Sequence, residues 1–132
     1  MMQTYAGSCH CGAVRFEVQL DLTQPSYRCN CTICRRSRFW AAVARPAQFR
    51  LLAGEEMLTR YQFGRGNNHH QFCKQCGVRP FGIGNDTPIG PMIGVNLGCL
   101  DGVDDEQLSQ IPIVRIDGLH DRMEAPAFCS HL

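Results

Sequence analysis

An all-β domain of short strands is the fold class that this sequence predicts, and three observations predict it. Several segments alternate apolar and polar side chains with period two. Glycine, 13 of 132 residues, is spread through the chain, and no long amphipathic helical repeat is present. Residues 1–132 are expected to form one domain, long enough to bury a core.

Taken in order, Ala13 to Leu20 alternates, with Val14, Phe16, Val18 and Leu20 on one face and Arg15, Glu17 and Gln19 on the other, as a half-buried strand does. The loop Asp21 to Ser26, with Pro25, leads into the stretch YRCNCTICRRSRF at Tyr27 to Phe39. Phe39 to Ala44 predicts a short strand closed by Pro46. Arg50 to Ala53, the turn at Gly54 and Met57 to Phe63 predict a hairpin, with Met57, Thr59, Tyr61 and Phe63 on one face. GRGNN at 64–68 is a turn signal before His69 to Cys73. Val78 to Gly84 is a strand broken by Pro80, 85–91 a loop, and Met92 to Leu100 an apolar run with Gly94 and Gly98. Asp104 to Gln110 is the one place where a helical turn is expected, since its acidic start suits the helix dipole. Ile111 to Ile116 is the last predicted strand.

Lys+Arg of 13 against Asp+Glu of 12 leaves no net charge that would draw the protein to nucleic acid or an anionic membrane. No apolar run reaches the roughly 20 residues of a membrane span, and the N-terminus has no basic and apolar leader pattern. The expectation is a soluble cytoplasmic protein.

Nine cysteines in a reducing compartment point to metal or redox chemistry rather than a disulfide framework. Seven fall into three groups: Cys9 and Cys11 in GSCHCG, Cys29, Cys31 and Cys34 in CNCTIC, and Cys73 and Cys76 in FCKQCG. In an extended Cys-x-Cys the Cα atoms are about 6.5 Å apart. That is near the limit for a disulfide but comfortable for two thiolates about 2.3 Å from one zinc. The four-plus-three count predicts two zinc ions: a closed structural site at Cys9, Cys11, Cys73 and Cys76, and a second at Cys29, Cys31 and Cys34.

The fourth ligand of the second site decides its role. Completion by Cys99, Cys129, His69, His70 or His120 would make it structural as well; an open position would let it hold a water or an incoming thiolate. Arg35, Arg36 and Arg38 follow directly and are candidate ligands for the carboxylates of an anionic thiol, or simply a solvated charged segment. His10 lies between two ligands and is read as support or packing. Of His69 and His70, only one can face the site from a strand.

With GSCHCGAVRFEV, CNCTICRRS, YQFG and HHQFCKQCGVRPFG in this order, the chain resembles the glutathione-dependent formaldehyde-activating enzyme family, also called the centromere protein V family, from about Gly7 to Asp117. The resemblance implies a β-tent fold, two small antiparallel sheets organised around zinc, shared with methionine sulfoxide reductase B. It implies structural zinc on Cys9, Cys11, Cys73 and Cys76, and a catalytic one on Cys29, Cys31 and Cys34. The implied activity is that of a carbon–sulfur lyase, joining formaldehyde and glutathione as S-hydroxymethylglutathione. Two other readings stand beside it: a non-catalytic zinc-stabilised binding module, and a methionine sulfoxide reductase-like enzyme using Cys99 or Cys129 as nucleophile.

Overall fold

The structure, a computed structural model, describes residues 1–132. Ten strands form two sheets. Strands β1 (Gln3–Ser8), β2 (Arg15–Leu20) and β5 (Phe49–Ala53) make a three-stranded sheet in the order β1-β2-β5. The other seven are β3 (Ser26–Cys29), β4 (Trp40–Ala44), β6 (Leu58–Tyr61), β7 (Asn68–Cys73), β8 (Phe81–Gly84), β9 (Met92–Asn96) and β10 (Ile113–Ile116). They form one sheet in the order β10-β3-β4-β9-β8-β7-β6. The all-β class expected from the sequence is the one observed.

Alternation in β2 does what it predicts: Phe16, Val18 and Leu20 are buried, whereas Arg15 and Gln19 are exposed. The buried face meets the larger sheet through an aromatic trio. Phe16 and Phe49 stack at 5.3 Å between ring centroids, and Phe49 meets Phe81 of β8 at 4.6 Å. Each buried aromatic contributes about 1.5–3 kcal/mol by leaving water, so these three rings are a main tie between the sheets. Gly7 of β1 lies directly over the Phe16 ring, where a Cβ would clash.

Four local expectations are corrected. Arg50 to Phe63 is not a hairpin, because β5 pairs with β2 and β6 pairs with β7. Gly54, at φ 89° and packed against the Ala13 backbone, opens a 3-10 turn at Glu55–Met57 that carries the chain from one sheet to the other. The hairpin is β6–β7 instead, turning through Gly64 and Gly66, both at positive φ. The larger sheet is also not wholly antiparallel, since β10 pairs in parallel with β3; most of the chain separates the two, so no tight turn fixes their relative direction. A second α-helix, α1 (Thr32–Ser37), precedes the expected one, α2 (Asp105–Ser109). The latter is fixed by a capping box in which Asp104 and Gln107 each bond the other's backbone N–H. Finally, the Cys9–Cys11 pair does not lie in extended chain but in a turn, whereas Cys29 ends β3 and Cys31, at φ −60° and ψ 163°, is still extended just before α1.

Candidate functional site

Two groups of cysteines gather at opposite kinds of junction. Cys9 and Cys11 occupy the turn between β1 and β2, Cys73 ends β7, and Cys76 lies in the turn that follows. Their sulfurs all lie within 4.8 Å of one another. Cys9 Sγ is 3.6 Å from Cys11 Sγ, which is 3.7 Å from Cys73 Sγ. Four thiolates each about 2.3 Å from one zinc stand about 3.8 Å apart at the corners of a tetrahedron, so this donor set fits the ion.

The two turns are built alike. Gly12 and Gly77 follow the cysteine pairs at φ 79° and 77°, left-handed backbone that glycine adopts without a Cβ penalty. Gly12 N–H donates to Cys9 O at 3.2 Å and Gly77 N–H to Cys73 O at 2.8 Å. Val14 N–H donates to Cys9 Sγ at 3.3 Å. The backbone N–H of Cys76 pulls the Cys73 thiol below its ordinary value. Burial raises Cys76, but the N–H groups of Cys11 and Val78 and the neighbouring sulfurs outweigh it and bring that thiol to about 6. Deprotonated sulfur is the form that a metal takes.

The second group is local. Cys29 ends β3, Cys31 is the N-cap of α1, and Cys34 lies in the first turn of that helix. Their three sulfurs lie within 4.8 Å of one another, and no fourth His, Cys, Asp or Glu ligand atom joins them at that distance. Cys31 N–H donates to Cys29 Sγ at 3.3 Å. The Cys31 thiol is drawn down by its bonds to Cys29 and Cys34 and then by the Cys34 and Ile33 N–H groups, while the same cluster pushes Cys34 up. The lowered thiol of the three is thus the one at the helix start.

The segment after β10 closes over this group. Asn30, between two of the cysteines, donates from Nδ2 to buried Asp117 at 2.8 Å and accepts from Leu119 N–H at 3.0 Å. Gly118 packs so closely on Cys29 Sγ that a Cβ there would collide with the sulfur. His120 Nδ1 completes the turn at 2.9 Å from the Asp117 carboxylate.

On the other side stands Arg79, which the motif-based reading passed over. Its guanidinium lies over the Phe39 ring at 4.0 Å, and Nη2 meets His70 Nδ1 at 2.8 Å. Nε and Nη1 are buried with no partner. Burial lowers its pKa and the adjacent Cys34 and Cys31 sulfurs oppose that. Gly82, opposite His70 in the sheet, leaves the space that Nη2 takes. Because a guanidinium can only donate, His70 Nδ1 accepts and the ring of neutral His70 carries its proton on Nε2. His70 also stacks on Phe63 at 5.4 Å, next to Tyr61, an exposed aromatic wall. Of the two histidines it is therefore His70 that borders the three-cysteine group; His69 turns toward Asn85, 3.5 Å away.

The other sequence-predicted residues divide. Arg35 and Arg38 line a cleft with Cys29 and Cys34, whereas Arg36 turns back onto Thr32 O of its own helix at 2.9 Å. Arg38, at φ 56°, ends α1 and donates to His131 O at 3.0 Å. His10 is exposed in its turn. Cys99 is buried in the core, where burial raises its thiol to about 11. Cys129 is half-buried and joins neither group. No helix is long and apolar enough to cross a membrane.

The chain is similar to known proteins. A crystal structure of a Rhodobacter sphaeroides protein matches with a TM-score of 0.70 and 38% identity, covering 83% of this chain and 99% of that one. A Halomonas elongata relative provisionally named a glutathione-dependent formaldehyde-activating enzyme is 58% identical over 31 residues, 24% of this chain and 20% of the relative. The chain thus aligns with only about a fifth of that relative's length. The family model described as glutathione-dependent formaldehyde-activating enzyme matches residues 4–114, most of the sequence. The chain belongs to the glutathione-dependent formaldehyde-activating enzyme family.

Proposed function

We propose that this chain, as a single domain over residues 1–132, is a cytoplasmic zinc-dependent carbon–sulfur lyase acting on the adduct of a thiol, glutathione, with a small aldehyde such as formaldehyde. One observation carries the reading: three cysteine sulfurs lie together with no fourth ligand atom from His, Cys, Asp or Glu, beside an arginine that has two buried, unpartnered N–H groups. The family supports the choice of thiol and aldehyde. All nine cysteines are free, as a reducing compartment requires.

Cys9, Cys11, Cys73 and Cys76 would hold a structural zinc, and Cys29, Cys31 and Cys34 a catalytic one. With three thiolate ligands, the second zinc would keep a substrate thiol deprotonated yet nucleophilic. In the forward direction the sulfur adds to the aldehyde carbon, forming the C–S bond, while the carbonyl electron pair moves to oxygen and that oxygen takes up a proton. Arg79 has donors free for this oxygen, and neutral His70 can hold a proton at Nε2 beside it. Phe39 beneath the guanidinium keeps Arg79 in place. Arg35 and Arg38, at the mouth of the cleft, suit the carboxylates of glutathione, and Arg36 points away. A sulfoxide reductase role is disfavoured because Cys99, one of its two candidate nucleophiles, is buried and its thiol raised, and Cys129 joins neither metal-ligating group.

Titration calorimetry with glutathione and S-methylglutathione tests the reading. Zinc-loaded protein should bind glutathione far more tightly, because the blocked sulfur cannot serve as an anionic ligand. Equal affinity for both, or no binding of either at millimolar concentration, would move the preference to a zinc-stabilised binding module.

A further inference from the structure

We propose that Arg79 is the counter-ion of the three-cysteine group, its guanidinium balancing the negative charge that three thiolates and a divalent metal leave there. The inference rests on the metal reading above but not on the choice of aldehyde, and it concerns the group before any substrate arrives.

A guanidinium taken out of water needs an anion, and Arg79 has no carboxylate. The ion pairs of this chain join Met1 with Asp21, Arg50 with Glu17 and His120 with Asp117. The hydrogen-bond partner of Arg79 is neutral: Nη2 meets His70 Nδ1 at 2.8 Å, while Nε and Nη1 are buried without a partner. The Phe39 ring, 4.0 Å from Cζ, offers only the weaker attraction of a π face.

Phe39 also ties the arginine to the cysteines, since its N–H donates to Cys34 O at 3.3 Å and it lines a cleft with Cys29 and Cys34. The Cys34 and Cys31 sulfurs are the groups that oppose the effect of burial on Arg79. The backbone is held from β9, where Asn96 Nδ2 donates to Arg79 O and Asn96 N–H to Pro80 O, both at 3.0 Å. A Cβ at Gly82 would stand 2.9 Å from Nη2, so the bare glycine leaves the guanidinium its place.

Three thiolates and one divalent ion sum to one negative charge, and Arg79 brings the assembly to zero. An incoming thiolate then approaches a neutral centre rather than an anion, so the group can keep three thiolate ligands and still accept a fourth. The role is electrostatic and needs no hydrogen bond to sulfur, which leaves Nε and Nη1 available to a substrate oxygen. Arg79 is on this account a positioning residue for the metal as well.

Zinc affinity at the three-cysteine group, read by competition with a chromophoric chelator, tests this in the wild type, R79K and R79M. R79M, which keeps the length of the side chain and loses its charge, should bind zinc there about 10–100-fold more weakly. R79K, which keeps the charge, should stay close to the wild type. The sulfur-to-cobalt charge-transfer band gives a readout that packing alone would not move. Without a cation beside them the sulfurs release electron density more easily, so the band should shift to longer wavelength in R79M and keep its position in R79K. Zinc at the four-cysteine group should be unchanged throughout, and R79Q replaces R79M if that variant does not fold. If R79M holds zinc as tightly as the wild type, or if R79K and R79M lose it alike, Arg79 is not the counter-ion, while the metal and thiol readings stand. If the wild type holds zinc only at the four-cysteine group, this inference and the metal reading fall together.

Discussion

The two cysteine groups differ in what they hold together. The four-cysteine group joins the β1–β2 turn to the end of β7, with Cys11 and Cys73 separated by 62 positions in sequence and contributed by different sheets. The three-cysteine group closes a few residues between β3 and α1, and its neighbours, Asn30, Gly118 and Arg79, converge on it from elsewhere. A cross-link between distant segments removes far more freedom from the unfolded chain than one that closes a short loop. On the proposed reading the first group carries stability and the second chemistry, because the rim of the second can be open and polar without the sheets coming apart.

The largest expected effect breaks the comparison at its strong end. Apparent zinc binding energies of about 10–16 kcal/mol at such sites equal or exceed the roughly 5–15 kcal/mol stability of a domain. Cys76→Ser should thus give insoluble or unfolded protein, and chelation of the wild type should remove its cooperative melting transition. Cys31→Ser should keep that transition and lose one zinc per chain. Metal analysis beside circular dichroism reads both, and equal thermal destabilisation by the two substitutions would contradict the division.

A smaller effect separates metal affinity from folding. Gly118→Ala pushes a methyl group into Cys29 Sγ and should weaken zinc at the three-cysteine group by about 10–100-fold. Zinc at the four-cysteine group and the melting temperature should change little. Competition with a chromophoric chelator measures the affinity.

Smaller still is the clamp over the site. Asn30→Ala removes a bond to the Asp117 carboxylate and should loosen the segment, seen as faster hydrogen exchange at Asp117–Arg122 at fixed pH. Asn30, then His120, hold Asp117 below its ordinary value of 3.8 against the opposing effect of burial. Since the folded value is depressed, this contribution is fully present above about pH 3.8 and is lost as pH falls through the folded value below it. The protection of the 117–122 amides, taken relative to the intrinsic exchange rate at each pH, should therefore fall at acid pH in the wild type, and Asn30→Ala should flatten that dependence.

Much of this was legible in the chain. Alternation at 13–20 located β2 because a half-buried strand must alternate, and seven thiols in three spacings located both groups because metal ligands must come from turns at fixed separations. The order of strands was not legible. The Arg50 to Phe63 segment has the pattern of a hairpin, and nothing local states that Gly54 directs the chain into a second sheet. Helix α1 buries none of its residues, so it has no apolar stripe to read. It is ended by Arg38, whose left-handed backbone lets its N–H donate to Cys34 O, and it carries back-bonds from Arg36 and Ser37 to Thr32 and Ile33. Arg79 was hidden for another reason: in CGVRPFG it is a polar position beside a proline, and its role arises only where Phe39, His70 and the Gly82 gap meet around it.

The central claim, a closed group and an open one, is tested most directly by replacing zinc with cobalt and recording the sulfur-to-cobalt charge-transfer absorption as glutathione is added. An open position predicts that the band gains intensity as a further thiolate joins the three-cysteine group, and that Cys31→Ser abolishes the gain. An unchanged band in the wild type at saturating glutathione would mean that no position is open to a thiol, and would contradict the account.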